Sequence, residues 1–477
     1  MSNFYWNGGL FMDIINSIIA NINNLLWTYI LIILLITLGL LFTFKSNFVQ
    51  FRYLKEMFKL LGEGTSKNGD KNQVSSFQAF CMSTASRVGT GNLAGIAIAI
   101  SIGGPGSVFW MWIIALIGAA SSFVESTLAQ IYKVKDESGA YRGGPAYYME
   151  KALHKKWLGV IFSILITITF GLIFNSVQSN TITSALGQAF DINSLLIASI
   201  LTIITAIIIF GGVQRIARFT EIVVPIMAGA YILIALFVVA TNITKLPAMF
   251  ALIFENAFGF KAAIGGGLGA ALMQGIKRGL FSNEAGMGSA PNAAATATVS
   301  HPVKQGLIQT LGVFTDTILI CSCTAFIILL SGIDLNSGAT GIELTQNAFS
   351  AHVGSWGTYF IAFCILLFAF SSIIGNYYYG ESNIEFLTDK KIYINIYRLC
   401  VVAMVFFGCL ANLETVWNFA DVFMGFMAII NLIAITLLSK IAFKALDDYK
   451  KQKKAGIKSP VFKASSIPEL ENVEEWN

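Results

Sequence analysis

The strongest constraint on this chain is the length of its uninterrupted apolar runs. Leu26 to Phe44 contains no charged residue, and Phe219 to Ala240 is almost as apolar. A bilayer core takes about 20 helical residues to cross, so each run is long enough to span one. A soluble domain carries charge on about a quarter of its positions. Here 55% of the 477 residues are hydrophobic and 12% charged, with a mean hydropathy of +0.70. The solvent for most of this chain is therefore lipid.

The net charge of +5 would suit nucleic acid in a soluble protein, but the bases lie between apolar spans and in the tail, where membrane topology accounts for them. No nucleic-acid partner is expected. All six cysteines (Cys81, Cys321, Cys323, Cys364, Cys400, Cys409) fall in apolar segments and read as small packing residues rather than a disulfide framework. The three histidines are scattered singly, without metal-ligand spacing, so neither a metalloenzyme nor a bound cofactor is expected. Met1 to Phe44 has no Lys or Arg, which argues against a cleavable leader and makes the first span an anchor.

Apolar runs and their polar breaks predict eleven spans, near 26–44, 77–102, 107–132, 157–188, 194–210, 218–240, 262–289, 305–331, 356–386, 393–411 and 415–443. The chain thus reads as an all-α polytopic membrane protein. Alternate connections hold Lys45 to Lys71, Lys133 to Lys156, Arg215, Arg218, Lys304, Lys390 and Lys391, while the opposite set offers Lys245 and Lys261. The positive-inside rule then places the N-terminus outside and, after an odd number of spans, the C-terminus in the cytoplasm. The tail beyond Asp447 passes from a basic run to an acidic end and is predicted to be disordered.

Two spans are predicted to be broken. The second contains Ser83 to Asn92, reading STASRVGTGN, and the seventh contains Gly265 to Gly269 followed by the polar stretch Gln274 to Gly286. Both are too rich in glycine and polar groups for a lipid-facing helix. Each opens a set of five spans, and because five is odd the second set enters the membrane from the opposite side, as in an inverted repeat. Either segment alone also fits a close helix contact, since Gly91 and Gly95 have GxxxG spacing. Three regions follow: 1–76 with the extra helix, a transport core over 77–443 (repeats 77–240 and 262–443), and the tail 444–477. An unwound helix exposes N–H groups that attract a carboxylate and carbonyls that bind a bare cation. A zwitterionic amino acid with Na⁺ suits that chemistry.

The motifs Gly89-Thr-Gly-Asn-Leu-Ala-Gly95, Gly103-Gly-Pro-Gly106, Tyr141-Arg-Gly-Gly-Pro145 and Phe281-Ser-Asn-Glu-Ala-Gly-Met-Gly-Ser-Ala-Pro291 resemble the alanine or glycine:cation symporter family, over about Gln78 to Leu438. The resemblance implies a ten-helix, five-plus-five inverted-repeat core of the leucine-transporter type. It further implies sodium-coupled symport of alanine or glycine into the cell across the plasma (inner) membrane, with no protein partner. Thr90, Gly91 and Asn92 would line the carboxylate end of the substrate. Ala85, Val88, Ser371 and Ser372 would hold sodium, although two serines also suit plain helix–helix hydrogen bonding.

Asn175 and Gln178 lie one turn apart in an apolar span. By resemblance Gln178 lines the pocket and Phe281 supplies an apolar wall, with interhelical packing as the alternative for each. At Asn376 the family pattern has tryptophan. A carboxamide there leaves room and adds a donor and an acceptor, which makes glutamine the alternative cargo.

Glu125, Asp316, Glu381 and Asp421 fall in or near spans. They either relay protons, making H⁺ the alternative coupling ion, or pair locally. A channel would need a repeated filter-like segment, and an enzyme a nucleophile with its base. Neither pattern is found.

Overall fold

Backbone N–H and C=O groups in lipid must be satisfied within the chain, and helices do this locally. The computed structural model describes residues 8–63, 73–136, 139–210, 213–258, 267–335 and 337–476. Lys67, Lys71, Lys261 and Gly265 lie outside them. Every predicted span contains helix over most of its described part. The helices are α1 (Ser17–Lys45), α2 (Ser76–Arg87), α3 (Gly91–Gly103), α4 (Ser107–Ile131), α5 (Lys156–Phe190), α6 (Ser194–Ile209) and α7 (Val213–Thr241). They continue as α8 (Gly267–Asn283), α9 (Ala290–Thr296), α10 (Pro302–Leu330), α11 (Trp356–Leu387), α12 (Lys391–Leu410) and α13 (Leu413–Lys454).

Among the described residues, seven helices are individually long and apolar enough to cross a membrane. The α2–α3 pair qualifies as one span bent by 49°. Both predicted breaks are present: α2 gives way to α3 at residues 88–90, and α8 gives way to α9 through residues 284–289. Helices the sequence did not suggest lie at Leu246–Phe258 and Gly341–Val353, in connections that carry few bases. Wide π-helical turns interrupt the α-helical repeat at Gly91–Gly95, Thr167–Phe174 and Phe314–Cys321. Such turns contain an extra residue and are common at functional sites.

Packing divides the helices into two groups. The most extensive contacts of α4 are with α10 and α8, and those of α5 are with α11 and α12. Broken helix α2 packs on both α10 and α11 and so lies where these groups meet.

The tail prediction is corrected. Helix α13 runs on through the basic stretch to Lys454, and the chain beyond folds back along the protein to Trp476, whose indole is only 7% exposed. Composition suggested disorder because its charges were read as solvated, whereas they meet opposite charges on the neighbouring loops. Among the cysteines, Cys400 is exposed on α12 and the other five are buried.

Candidate functional site

The site begins with the end of α2. Its start is fixed by a reciprocal cap, in which Ser75 Oγ accepts from the Gln78 N–H and Gln78 Oε1 accepts from the Ser75 N–H. Its end comes where Val88 takes an extended conformation, with ψ at 92°. In a continuous helix the Gly89 N–H would donate to the Ala85 carbonyl. It donates instead to Asn92 Oδ1 at 2.9 Å, which frees Ala85. Ser372 of α11 takes up that carbonyl: its hydroxyl lies 2.9 Å from Ala85 O and 3.3 Å from Val88 O. Three of the four residues expected to hold sodium therefore converge. The fourth, Ser371, is buried beside them but donates to Phe368 O in its own helix at 2.8 Å.

The opposite side of the break presents a backbone donor. Gln178 Oε1 from α5 accepts from the Thr90 N–H at 2.9 Å, so an sp² oxygen already occupies the position expected for a carboxylate. Asn175, one turn earlier, bonds only back to Gly171 O of its own helix. Glycine is required at position 89, because a Cβ there would overlap the Ser372 hydroxyl and come within 2.8 Å of Gln178 Oε1. At Gly91 a Cβ would lie 3.0 Å from the Phe281 ring. The two broken helices thus touch here. Phe281 packs, tilted, between Phe174 and Trp417, each ring centroid 4.6 Å away.

Asn92 and Asn376 also reach beyond this spot. Asn92 Nδ2 donates to Asp316 Oδ1 at 2.7 Å, and Ser282 Oγ and Thr317 Oγ1 donate to Asp316 Oδ2, both at 2.8 Å. Asp316 therefore ties the first broken helix to the second. Asn376 lies one turn along α11 from Ser372, and its Oδ1 is 2.7 Å from Ser86 Oγ, which is also 2.8 Å from Glu284 Oε1. Asn376 is buried and its Nδ2 has no partner.

The turn between α8 and α9 is held from α4. Glu125 accepts from the N–H groups of Gly286 and Gly288 at 3.0 and 3.1 Å and from Asn431 Nδ2 at 2.7 Å. Both glycines have φ above +80°, and Glu284 is left-handed at +58°. The other two acids pair with bases. Asp421 meets Arg278 at 2.7 Å and Lys277 at 3.1 Å, and Glu381 meets Arg398 at 2.7 Å. Arg278 also lies over Trp417, 4.4 Å from its ring. Sequence reasoning missed Trp417 and the Ser282–Asp316 junction. The acid alone was visible in sequence.

An all-α core with two helices interrupted midway, paired carbonyls at one break and a glutamine-held backbone N–H beside them, is that of a secondary transporter of the leucine-transporter fold. A crystal structure of MhsT in complex with L-phenylalanine has this fold, matching with a TM-score of 0.53 and 16% identity over 79% of this chain and 99% of that one. The chain belongs to the sodium:alanine symporter family, whose sequence profile matches residues 12–464. It is a multi-pass membrane transporter and not an enzyme. It is 59% identical over 464 residues to the probable sodium/glutamine symporter GlnT of Bacillus subtilis, covering 97% of this chain and 96% of that protein. To the amino-acid carrier protein AlsT of the same organism it is 57% identical, covering 97% of each.

Proposed function

We propose that this protein imports a small neutral amino acid, alanine or glycine, together with sodium across the plasma membrane. In this reading 77–443 is the transport core, the N-terminus is outside, and 444–477 is cytoplasmic, following the distribution of bases. The observation that carries the reading is the convergence of the Ala85 and Val88 carbonyls on Ser372, beside the Thr90 N–H. Oxygen ligands on one side and a carboxylate-binding donor on the other suit a cation and an amino acid bound together. The Ser372 hydroxyl would turn its lone pairs to the ion, and Gln178 would yield the Thr90 N–H to the substrate carboxylate. Thr90 and Gly91 would line the carboxylate, and Phe281 the side chain. Asn92 would act by bracing the break.

Glutamine is the second reading. Asn376 offers a buried, unpartnered Nδ2 group to a side-chain carbonyl, and the relative named as a probable sodium/glutamine symporter is 59% identical. Uptake of labelled alanine, glycine and glutamine into proteoliposomes, under an Na⁺ gradient, an H⁺ gradient or neither, decides among these. Sodium-dependent uptake of alanine or glycine supports the first reading and sodium-dependent glutamine uptake the second. A response to H⁺ alone replaces sodium as the coupling ion, and uptake indifferent to both gradients rejects symport.

A further inference from the structure

The segment after α13 lies across the face that carries the basic loops. It turns at Gly456, whose φ is +83°, and is then held to the connection before α10. There the Phe462 N–H donates to Ser300 O at 2.9 Å and Ser300 Oγ donates to Pro460 O at 2.8 Å. The Phe462 ring is buried against His301, and 5.6 Å from it lies the Trp476 ring. Trp476 Nε1 donates to Gln130 O, in the last turn of α4, at 2.9 Å, and Lys133 Nζ sits 5.0 Å from the indole. The Ala464 N–H closes on Trp476 O at 2.7 Å, so the segment forms a loop with its end tucked under.

The acidic residues between these anchors face bases. Glu475 meets Lys135 at 3.2 Å, Glu471 lies 3.3 Å from His154 Nε2, Glu474 pairs with Lys151, and Glu469 pairs with Lys444. Asn472 Nδ2 donates to Lys151 O at 3.0 Å. These partners fall on both packing groups. Gln130 and Ser300 belong to the ends of α4 and α10, whereas Lys151 and His154 lead into α5. The exposed ion pairs are individually weak and screened by salt, so the contact can come and go.

We propose that residues 455–476 form a releasable latch. The surface made by Gln130, Lys133, Lys135, Lys151 and His154 takes an acidic peptide that carries an aromatic residue beside its acids, and its occupant is the chain's own C-terminal segment. While docked, the segment ties the two helix groups together on this face. The face opens to release cargo only when the latch lets go. This rests on the transport reading for its effect on rate, and on geometry alone for the docking.

The test uses the full-length protein with Trp476→Ala, Lys151→Glu, or Lys151→Glu combined with Glu474→Lys. Docking is read by trypsin cleavage after Lys458 and Lys463, and its consequence by the initial uptake rate in proteoliposomes. The two single variants should be cut faster and should transport faster by about fivefold or more, and the charge swap should restore both. Faster cleavage with an unchanged or lower rate would leave the segment docked but not a latch, and overturn the proposal. Unchanged cleavage would overturn docking itself. The charge-swapped variant guards against misfolding, since a merely damaged protein would not be rescued by a second substitution. A wild type that moved no amino acid would sink the cargo assignment, while the trypsin comparison would still decide docking.

Discussion

Gly89 has no room for a side chain, because Ser372 and Gln178 close on it from two helices. Gly89→Ala should push both away and reduce uptake by about 100-fold, the order expected when a binding geometry shifts by an ångström. Membrane abundance should change little, and uptake above a tenth of wild type would contradict the geometry. The two neighbouring serines should separate. Ser372→Ala removes the one hydroxyl that reaches both freed carbonyls, and should raise the sodium concentration for half-maximal uptake by about tenfold, the equivalent of one hydrogen bond. Ser371→Ala should leave it within about twofold. Sodium titrations of uptake compare them directly. At Asn376, filling the space with Asn376→Trp should lower glutamine uptake relative to alanine, and an unchanged ratio would dismiss the cargo argument drawn from that residue. The break at residues 88–90 was legible because glycine-rich sequence marks where a helix must open, whereas Ala85, Val88 and Ser372 were named through the family resemblance alone. Asn92 was legible as a member of the break but not in its role, since the partner it braces against, Asp316, is 224 positions away.

A broken helix needs support from elsewhere. At the first break part of the support is local, for Asn92 accepts from the Gly89 N–H three residues earlier, and the motif that contains both was visible in sequence. At the second it is remote: Glu125 of α4 holds the N–H groups of Gly286 and Gly288, and Asn431 of α13 holds Glu125. No spacing rule relates these positions, so the glycines predicted the turn and nothing predicted its clamp. Glu125→Ala should strand two buried N–H groups, at about 1–3 kcal/mol each. The expected outcome is a clear fall in the melting temperature of purified protein together with loss of uptake. A variant as stable as wild type would mean that the turn holds itself. Trp417 was hidden for the same reason. It reaches Phe281 only because α13 packs beside the second broken helix.

At the scale of the whole molecule, the ion and amino acid should stabilise the protein together. Sodium should raise its melting temperature where potassium does not, and adding the transported amino acid should raise it further, because each ligand increases affinity for the other by the same factor. Ser372→Ala should remove the sodium-dependent part. Equal shifts with sodium and potassium would mean that the site does not select its ion. The helix order was legible because lipid enforces long apolar runs. The tail was not, because its acidic residues find their bases only once the loops are in place. The π-helical turns at Gly91–Gly95, Thr167–Phe174 and Phe314–Cys321 have a consequence for motion. Each stores one residue of slack. Passing that residue along the axis rotates the stretch it crosses by about 100° and shifts it by about 1.5 Å, with only a few hydrogen bonds exchanged at a time. The three helices that carry these turns can thus be reset in discrete steps, like ratchets with a single spare tooth.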